Sequence, residues 1–350
     1  MKNFINLLSI FCLAFCVSNC TPETIKPLPV DPYTTGVFVL NEGPFGSGTG
    51  TVTHYDPTSK TAKQDIYGTA NNAGLLGNVV QSMSVYKDKG YVVVNNANTI
   101  QVVNANTFAS ISKITGLAFP RYFMPLNDKK AYITQWGKDG LTGSIAVYDI
   151  ANNLITKTIA LGSGHERMLI SGTKLYVTLS GGYGNDNRVL IIDTNTDAIT
   201  SNIKVSDCPV GIVQDAKGAI WVLCRGYYDF AKNTFTDGGL VKIVNDKVEG
   251  TPTKLSQGAD ELVMDNTKTK LYFIADSELR KADISSGAAI ITPLKSKYYY
   301  GLGIDPKTNS IYAADAGDFK SNGTVDILNE SGAIQSSFAA GIGVADFWFK

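Results

Sequence analysis

Short runs of apolar and β-branched residues alternate with polar turns along almost the whole chain. The clearest unit is Lys174–Ile199, in which two such runs, LYVTL and VLII, flank a Gly- and Asn-rich loop, and the second run ends in an Asp-Thr-Asn-Thr-Asp cluster. This pattern predicts a strand, a long loop, a second strand and a tight turn. The same unit recurs along the chain.

Two independent series of residues mark seven copies of the unit. An aromatic residue lies in the first run of each copy, at Phe38, Tyr91, Tyr132, Tyr176, Trp221, Tyr272 and Tyr312. An Asn or Asp lies where the second run stops, at Asp56, Asn104, Asp149, Asp193, Asn245, Asp283 and Asn329. Neighbouring Asn and Asp positions are 38 to 52 residues apart, a spacing typical of one four-stranded propeller blade per repeat. The sequence therefore predicts an all-β, seven-bladed β-propeller with antiparallel blades.

The first copy is one strand short, and the end of the chain offers the missing strand. Residues 36–67 contain three runs, whereas Gly343–Lys350 (GVADFWFK) is a single run after the last complete repeat. A circular array has to join its first and last blades to bury both terminal faces. We therefore expect Val344–Phe349 to be the innermost strand of the first blade. The six complete repeats are predicted at residues 81–114, 120–159, 166–205, 209–255, 261–294 and 301–340.

The amino terminus has the pattern of a bacterial lipoprotein precursor. Lys2 precedes the apolar run Phe4–Val17, which is too short to span a bilayer and predicts a signal peptide over residues 1–19. The motif VSNC resembles a lipobox, so we expect Cys20 to be lipidated. Secretion with cleavage at another site is the alternative.

The rest of the chain divides into a tether and the propeller. Residues 20–35 are Pro-rich and polar, which is typical of an extended linker, and residues 36–350 are predicted to form the propeller. We expect an outer-membrane lipoprotein that faces either the cell surface or the periplasm.

Charge and motifs argue against several classes of function. The formal net charge is zero, charged residues make up 18% and no basic cluster occurs, so nothing indicates a nucleic-acid surface. Neither of the two histidines, His54 and His165, belongs to a zinc-binding pattern. The Asp193-x-Asn195-x-Asp197 motif lacks the later residues of a calcium loop and is interpreted as a turn. We predict no catalytic residue, metal site or cofactor.

Two cysteines remain in the predicted propeller. If Pro209–Asp215 and Ala219–Cys224 form a hairpin, Cys208 and Cys224 lie opposite each other at a separation that suits a disulfide. An oxidising envelope compartment permits the bond. Two buried free thiols are the equally weighted alternative.

Loop lengths predict which face of the propeller is functional. We label the strands of a blade A to D from the axis outwards, so that the B–C loops and the D–A connections share one face. The long loops are all B–C loops, at residues 41–50, 135–143, 180–187, 225–238 and 315–323. Long loops on one face of a rigid scaffold commonly carry binding sites.

The residues of these loops and connections suggest a binding site. Aromatic walls with a few polar anchors are typical of sites for a large amphipathic small molecule or a glycan. Covering of blade edges and ion pairs between blades are the structural alternatives. The candidate ligand-binding residues are Asn41, Glu42, Arg121, Trp136, His165, Glu166, Arg167, Tyr183, Arg225, Tyr227, Tyr228, Asp260 and Tyr299.

Three segments resemble a known family. GVFVLNEG at Gly36–Gly43, with the Gly/Ser loop and Tyr55-Asp56 that follow, is similar to the opening of the YncE-like propeller lipoproteins of Bacteroidetes. Ile145–Ile159 and Val189–Thr200 resemble the YVTN-type repeats of the wider group. That family includes surface proteins that capture cobalamin and pass it to a TonB-dependent transporter. The resemblance thus implies a membrane-anchored protein that binds a corrinoid without chemistry.

Two other functions stay open. Paired carboxylates such as Glu166 and Asp260 could serve a lyase or hydrolase that acts on a glycan at the channel mouth. A protein scaffold docked on a transporter is the third reading.

Overall fold

The repeats form seven separate antiparallel blades in the computed structural model, which describes residues 31–160 and 162–350. Each blade has four strand positions, and β31 completes the first blade. The predicted seven-bladed propeller is therefore confirmed. Residues Pro32–Lys350 form one compact unit.

The strand bounds follow the predicted repeats closely. Blade 1 begins with β1 (Val37–Asn41), β2 (Thr51–Asp56) and β3 (Thr61–Lys63), and the helix α1 (Ile66–Ala70) follows. Blade 2 consists of β4 (Val80–Tyr86), β5 (Lys89–Val94), β6 (Thr99–Asn104) and β7 (Ser110–Ile114). Blade 3 consists of β8 (Pro120–Pro125), β9 (Lys130–Gln135), β10 (Ser144–Asp149) and β11 (Leu154–Ile159). Blade 4 consists of β12 (His165–Ser171), β13 (Lys174–Leu179), β14 (Arg188–Asp193) and β15 (Ala198–Lys204).

The second half of the propeller repeats this order with one elaboration. Blade 5 consists of β16 (Pro209–Gln214), β17 (Ile220–Cys224), β20 (Gly238–Val244) and an outer edge split into β21 (Lys247–Val248) and β22 (Thr253–Leu255), while β18 (Tyr228–Asp229) and β19 (Thr234–Phe235) form a small hairpin within its B–C loop. Blade 6 consists of β23 (Asp260–Met264), β24 (Lys270–Ala275), β25 (Glu278–Asp283) and β26 (Ile290–Lys295). Blade 7 consists of β27 (Gly301–Ile304), β28 (Ile311–Asp315), β29 (Asn322–Leu328) and β30 (Ile334–Ile342), and the final strand is β31 (Val344–Phe349).

The carboxy-terminal strand closes the ring as predicted. Strand β31 pairs antiparallel with β1, with Phe347 opposite Val39 and Trp348 opposite Phe38. It is the innermost strand of blade 1 in the order β3-β2-β1-β31. Blades 7 and 1 also meet through the stacked rings of Tyr55 and Phe338, whose centroids are 3.9 Å apart.

The core consists of seven apolar clusters, one between each pair of neighbouring blades. A blade is covered on both faces, which explains why its B and C strands are apolar without alternation. The aromatic residue in each B strand is buried between blades; Tyr91, for example, stacks on Phe123 of the next blade at 4.0 Å. The aromatic series in the sequence therefore records the packing between blades.

The Asn and Asp series forms the C–D turns. The carboxylate of Asp193 accepts hydrogen bonds from the N–H groups of Asn195 and Thr196 at 2.8 and 3.0 Å, as expected for a turn of this type. Asp197 instead holds the neighbouring blade, because it accepts hydrogen bonds from Lys130 at 2.9 Å and from the hydroxyl of Tyr132 at 2.5 Å. The motif is a turn that joins blades.

Cys208 and Cys224 are both buried free thiols in the structure. The register of β16 and β17 places Pro209, not Cys208, opposite Cys224. The backbone of Cys208 has a φ of 52°, and its Sγ lies 3.4 Å from Oδ1 of Asn185. The hairpin is therefore as expected, but the two sulfurs are not bonded.

The segments predicted at the amino terminus lie mostly outside the described residues. These are the signal peptide at residues 1–19, the lipidation of Cys20 and most of the tether predicted over residues 20–35. In the part of the chain that the structure describes, no helix is long and apolar enough to cross a membrane.

We predict that a chain ending at Gly341 loses most of its stability, because it lacks β31. Burial of each large apolar side chain contributes roughly 1.5 to 3 kcal/mol, and the net stability of a domain is about 5 to 15 kcal/mol. Thermal unfolding followed by circular dichroism measures the change. The control is Ile334→Ala on the outer strand β30, which should leave the melting temperature nearly unchanged. A shortened chain that melts like the full chain would contradict the closure.

Candidate functional site

A polar cavity of about 300 Å³ lies where the B–C loops and the D–A connections surround the propeller axis. We call it the mouth. Loop residues such as Phe45 and Trp136 line it together with residues at the start of inner strands, such as Arg121 and Glu166. The two kinds of segment therefore share one face, as the strand order requires.

One wall of the mouth is a rigid group of three side chains. Nε and Nη2 of Arg121 donate hydrogen bonds to Glu166 at 3.1 and 2.9 Å. The indole Nε1 of Trp136 donates to the other oxygen of Glu166 at 2.7 Å, and the guanidinium of Arg121 lies 4.2 Å from the Trp136 ring centroid. Gln81 accepts a further hydrogen bond from Arg121. This network fixes the orientation of the Trp136 ring.

The middle of the axis holds a second charged group. The guanidinium of Arg167 lies 4.2 Å from the ring centroid of Tyr122, and its Nη2 is 3.8 Å from Oε2 of Glu261. Burial, together with the nearby Asp260 carboxylate, raises the pKa of Glu261 to about 8. Burial also raises the pKa of Asp346, which β31 brings to the axis. Burial thus favours the neutral form of both carboxyl groups.

Two further pairs complete the polar surface. Arg225 pairs with Asp260, and the hydroxyl of Tyr300 donates a hydrogen bond to Glu42 at 3.2 Å. Burial raises the pKa of Glu42. Both Arg121 and Arg225 therefore already hold a carboxylate, so neither is a vacant site for an anion.

Exposed aromatic rings extend from the mouth towards solvent. Phe45, Tyr183 and Tyr298 line the cavity and are 83%, 68% and 55% exposed. Tyr183 meets Trp136 edge to face at 5.6 Å and rests on Gly140, where a Cβ would lie 2.2 Å from the ring. Solvent-exposed aromatic groups around a polar cavity are typical of a recognition surface.

The structure places eight of the thirteen candidate binding residues at the mouth. They are Glu42, Arg121, Trp136, Glu166, Arg167, Tyr183, Arg225 and Asp260. The other five do not line this cavity, each for its own structural reason.

Asn41 and His165 are buried in the scaffold. The Asn41 amide donates to the hydroxyls of Thr51 and Thr53 at 3.1 Å and accepts from the Gly341 N–H at 2.9 Å, so it joins blade 1 to the end of blade 7. His165 is fully buried and neither ring nitrogen has a hydrogen-bond partner among the described residues. Burial lowers the pKa of His165 to about 4, so it is a neutral packing residue at neutral pH.

Tyr227 and Tyr228 belong to the hairpin segment of blade 5, of which only Arg225 reaches the mouth. The Tyr228 ring packs against Phe230 and Phe235, with centroids 4.5 and 4.8 Å away. The long loop therefore makes its own small aromatic cluster and does not turn inwards.

Tyr299 points away from the axis. It is fully buried between blades 6 and 7, and its hydroxyl donates to Asp326 at 2.8 Å. Its neighbours Tyr298 and Tyr300 line the mouth instead. Successive residues of extended backbone face opposite sides, so the predicted Tyr299 faces the core and its two neighbours face the mouth.

The candidate set also omitted several lining residues. They include Gln81, Asn95, Asn96, Tyr122, Tyr298, Tyr300 and Asp346. The sequence did contain a signal for Asp346, because a carboxylate inside the predicted innermost strand has to face the channel. Asn95 and Asn96 lie in a short B–C loop, which loop length alone does not highlight.

The comparisons with known proteins identify the family. The family model described as "Domain of unknown function (DUF5074)" matches residues 35–334. The chain belongs to this DUF5074 family. No curated protein matches its sequence.

Solved structures similar to this DUF5074 protein share its fold at low identity. A quinonprotein alcohol dehydrogenase-like protein from Bacteroides thetaiotaomicron has a TM-score of 0.67 and 17% identity, over 91% of this chain and 78% of that chain. The periplasmic gluconolactonase of Pseudomonas aeruginosa has a TM-score of 0.64 and 13% identity, over 89% of this chain and 99% of that chain. A protein described as a putative 6-phosphogluconolactonase from Bacteroides uniformis has a TM-score of 0.65 and 11% identity, over 90% of this chain and 99% of that chain. At these identities the likeness shows the fold alone.

No cluster of three or more His, Cys, Asp or Glu side chains able to hold a metal ion occurs within residues 31–160 and 162–350. Glu166 and Asp260, the carboxylates predicted above as a possible pair for glycan cleavage, are each paired with an arginine. The carboxyl groups better suited to proton transfer are Glu261 and Asp346, whose pKa values are raised.

We predict that Glu166→Gln destabilises the protein by about 3 to 5 kcal/mol, because it leaves the buried Arg121 charge without its partner. Their side chains are only 16% and 6% exposed. Chemical denaturation measures the loss. The control is Asp237→Asn, which breaks the exposed pair with Lys254 and should have little effect. Equal stability changes in the two variants would contradict the role of the Arg121 network.

We predict that Glu261 makes thermal stability fall as pH rises. Its pKa is about 4.5 when exposed and about 8 in the folded protein. The folded state therefore binds an extra proton between these values, and the stabilisation present below pH about 4.5 is lost as pH rises through about 8.

Glu261→Gln keeps a neutral side chain at every pH, so the difference in melting temperature between the variant and the native protein should change steadily across this range. Melting curves at a series of pH values measure it, with Glu249→Gln as the surface control. A difference that does not depend on pH would show that Glu261 is not protonated in the folded protein.

Proposed function

We propose that this DUF5074 protein is a ligand-capture propeller that binds a neutral, hydrogen-bond-rich small molecule at its mouth. The observation that carries the proposal is the combination of pre-paired charges with exposed aromatic rings. Arg121 and Arg225 already hold carboxylates, so the mouth offers fixed N–H donors and carboxylate acceptors without a strong net field. Such a surface favours amide or hydroxyl groups over an ion.

The ligand that we propose is cobalamin or another corrinoid. A corrinoid has a flat macrocycle that can stack on aromatic rings, and peripheral amides that can pair with fixed polar groups. The cavity of about 300 Å³ is too small to enclose it, so most of the contact would come from the exposed rings of Phe45, Tyr183 and Tyr298. Gly36–Gly43 also resembles the opening of the YncE-like propeller lipoproteins of Bacteroidetes, a family that includes cobalamin-capturing proteins, and this adds support.

The cellular role follows from the same proposal. Lipidation at Cys20 would hold the propeller at the outer membrane with its mouth free, and the bound ligand would pass to a TonB-dependent transporter. Capture of this kind needs binding and release, with no bond made or broken.

We predict submicromolar binding of cyanocobalamin to the full chain by isothermal titration calorimetry. Tyr183→Ala and Tyr298→Ala should each weaken binding about tenfold or more, equivalent to ~1.4 kcal/mol, because each removes a stacking surface. Phe235→Ala is a matched control, since Phe235 is 68% exposed like Tyr183 but does not line the mouth.

Other outcomes would replace the proposal. No heat with cyanocobalamin would exclude the corrinoid, and equal losses in Phe235→Ala would exclude the mouth as the site. Cleavage of a glycan that Glu261→Gln abolishes would favour a lyase or hydrolase, because Glu261 is the carboxyl group with the raised pKa. Co-purification with a transporter in the absence of any small ligand would favour a scaffold.

A further inference from the structure

A second cavity, of about 610 Å³, lies deeper along the inner strands than the mouth. The inner strands begin at the mouth and run away from it, and this cavity is lined by their later residues in blades 4, 5, 6, 7 and 1. We call it the lower cavity. Its walls are mainly apolar and include Met168, Val213, Leu262, Met264, Ile304 and Phe347. A cavity of this size and lining suits an apolar part of a ligand.

Arg167 and Asp346 form the boundary between the two cavities and are the charged residues of the lower one. The guanidinium of Arg167 makes no hydrogen bond to any other residue of the described ranges, and its nearest carboxylate oxygen, on Glu261, is 3.8 Å away. This distance is too long for a hydrogen bond. The donors of Arg167 are thus available to a ligand, in contrast to those of Arg121.

Asp346, Glu261 and Glu166 attract Arg167 electrostatically, but none of them accepts a hydrogen bond from its guanidinium. Burial raises the pKa of both Glu261 and Asp346, so both hold protons more readily than exposed carboxyls. One oxygen of Asp346 accepts a hydrogen bond from its neighbour's N–H at 2.9 Å. The upper end of the lower cavity therefore presents a guanidinium that has no hydrogen-bonded partner among the described residues, above an apolar space.

We propose that the lower cavity binds a small amphipathic carboxylate. Its carboxylate group pairs with Arg167, since a guanidinium matches a carboxylate with two parallel hydrogen bonds. Its hydrocarbon chain lies among Leu262, Met264 and Phe347. The four lining residues 346–349 span roughly 10 Å of extended strand, a depth that suits a chain of about eight carbons. The unbranched side chains of Met168 and Met264 can adapt to such a chain.

This site differs from the proposed corrinoid site in both place and chemistry. At the mouth, Arg121 and Arg225 are already paired with carboxylates, whereas the lower cavity has mainly apolar walls and shares Arg167, which lacks a hydrogen-bonded carboxylate, with the mouth. Binding in the lower cavity does not depend on any ligand at the mouth, so each proposal can fail without the other.

Calorimetry of the full chain with octanoate, and separately with 1-octanol, tests the head group. Octanoate should bind at least tenfold more tightly than octanol, because the alcohol lacks the charge that pairs with Arg167. Butyrate has the same carboxylate as octanoate but a much shorter hydrocarbon chain, so it should also bind at least tenfold more weakly than octanoate. Equal affinity for octanoate and octanol, or no heat with octanoate at millimolar concentration, would overturn the proposal.

Substitutions of residues that line the lower cavity test whether octanoate binds there. Met264→Trp fills the lower cavity and should weaken octanoate binding at least tenfold while leaving cyanocobalamin binding unchanged. Met124→Trp is the matched control, since Met124 is also the fifth residue of an inner strand and half-buried, but does not line the cavity. Equal effects of the two variants would contradict the site. A dimer that Met264→Trp abolishes would assign the surface to a second copy of the chain and also overturn the proposal.

Discussion

The pairing of β31 with β1 is the interaction on which the rest of the propeller depends. It joins the last residues of the chain to the first blade and so completes the ring of seven apolar interfaces. Without it, the inner edge of blade 1 and the facing side of blade 7 would both be exposed. The same strand carries Asp346 to the axis, where both cavities meet. The strand that closes the fold therefore also supplies part of the site.

Charge pairing then decides what each end of the channel can recognise. At the mouth, Arg121 is held by Glu166 and Arg225 by Asp260, so the polar groups are oriented before a ligand arrives. Such preorganisation lowers the entropic cost of binding. At the centre, Arg167 is underpaired and sits above an apolar wall. One ring of inner strands thus offers two chemically different surfaces.

Much of the fold could be predicted from the sequence, because repeats that pack in the same way carry similar residues at regular intervals. Residues such as Tyr132 and Asp149 recur because every blade needs a buried ring and a capped turn. The site was harder to predict, since ligand contacts need no period. Charged residues at the start of inner strands, such as Arg121, could be predicted from their position in the repeat. Tyr299 could not, because adjacent residues of an extended segment face opposite sides, and a shift of one residue moves a side chain from the channel to the core. Whether the 225–238 loop turns towards the mouth or away from it depends on aromatic contacts within the loop, and the spacing of residues in the sequence does not indicate these contacts.

Hydrogen–deuterium exchange measured by mass spectrometry tests the ring closure most directly. Peptides that contain residues 344–349 should exchange as slowly as those from the inner strand β16 of blade 5, because both have hydrogen-bonded neighbours within a closed ring. Residues 37–41 should be protected to the same extent. Complete exchange of residues 344–349 within seconds, as in a frayed chain end, would contradict the account.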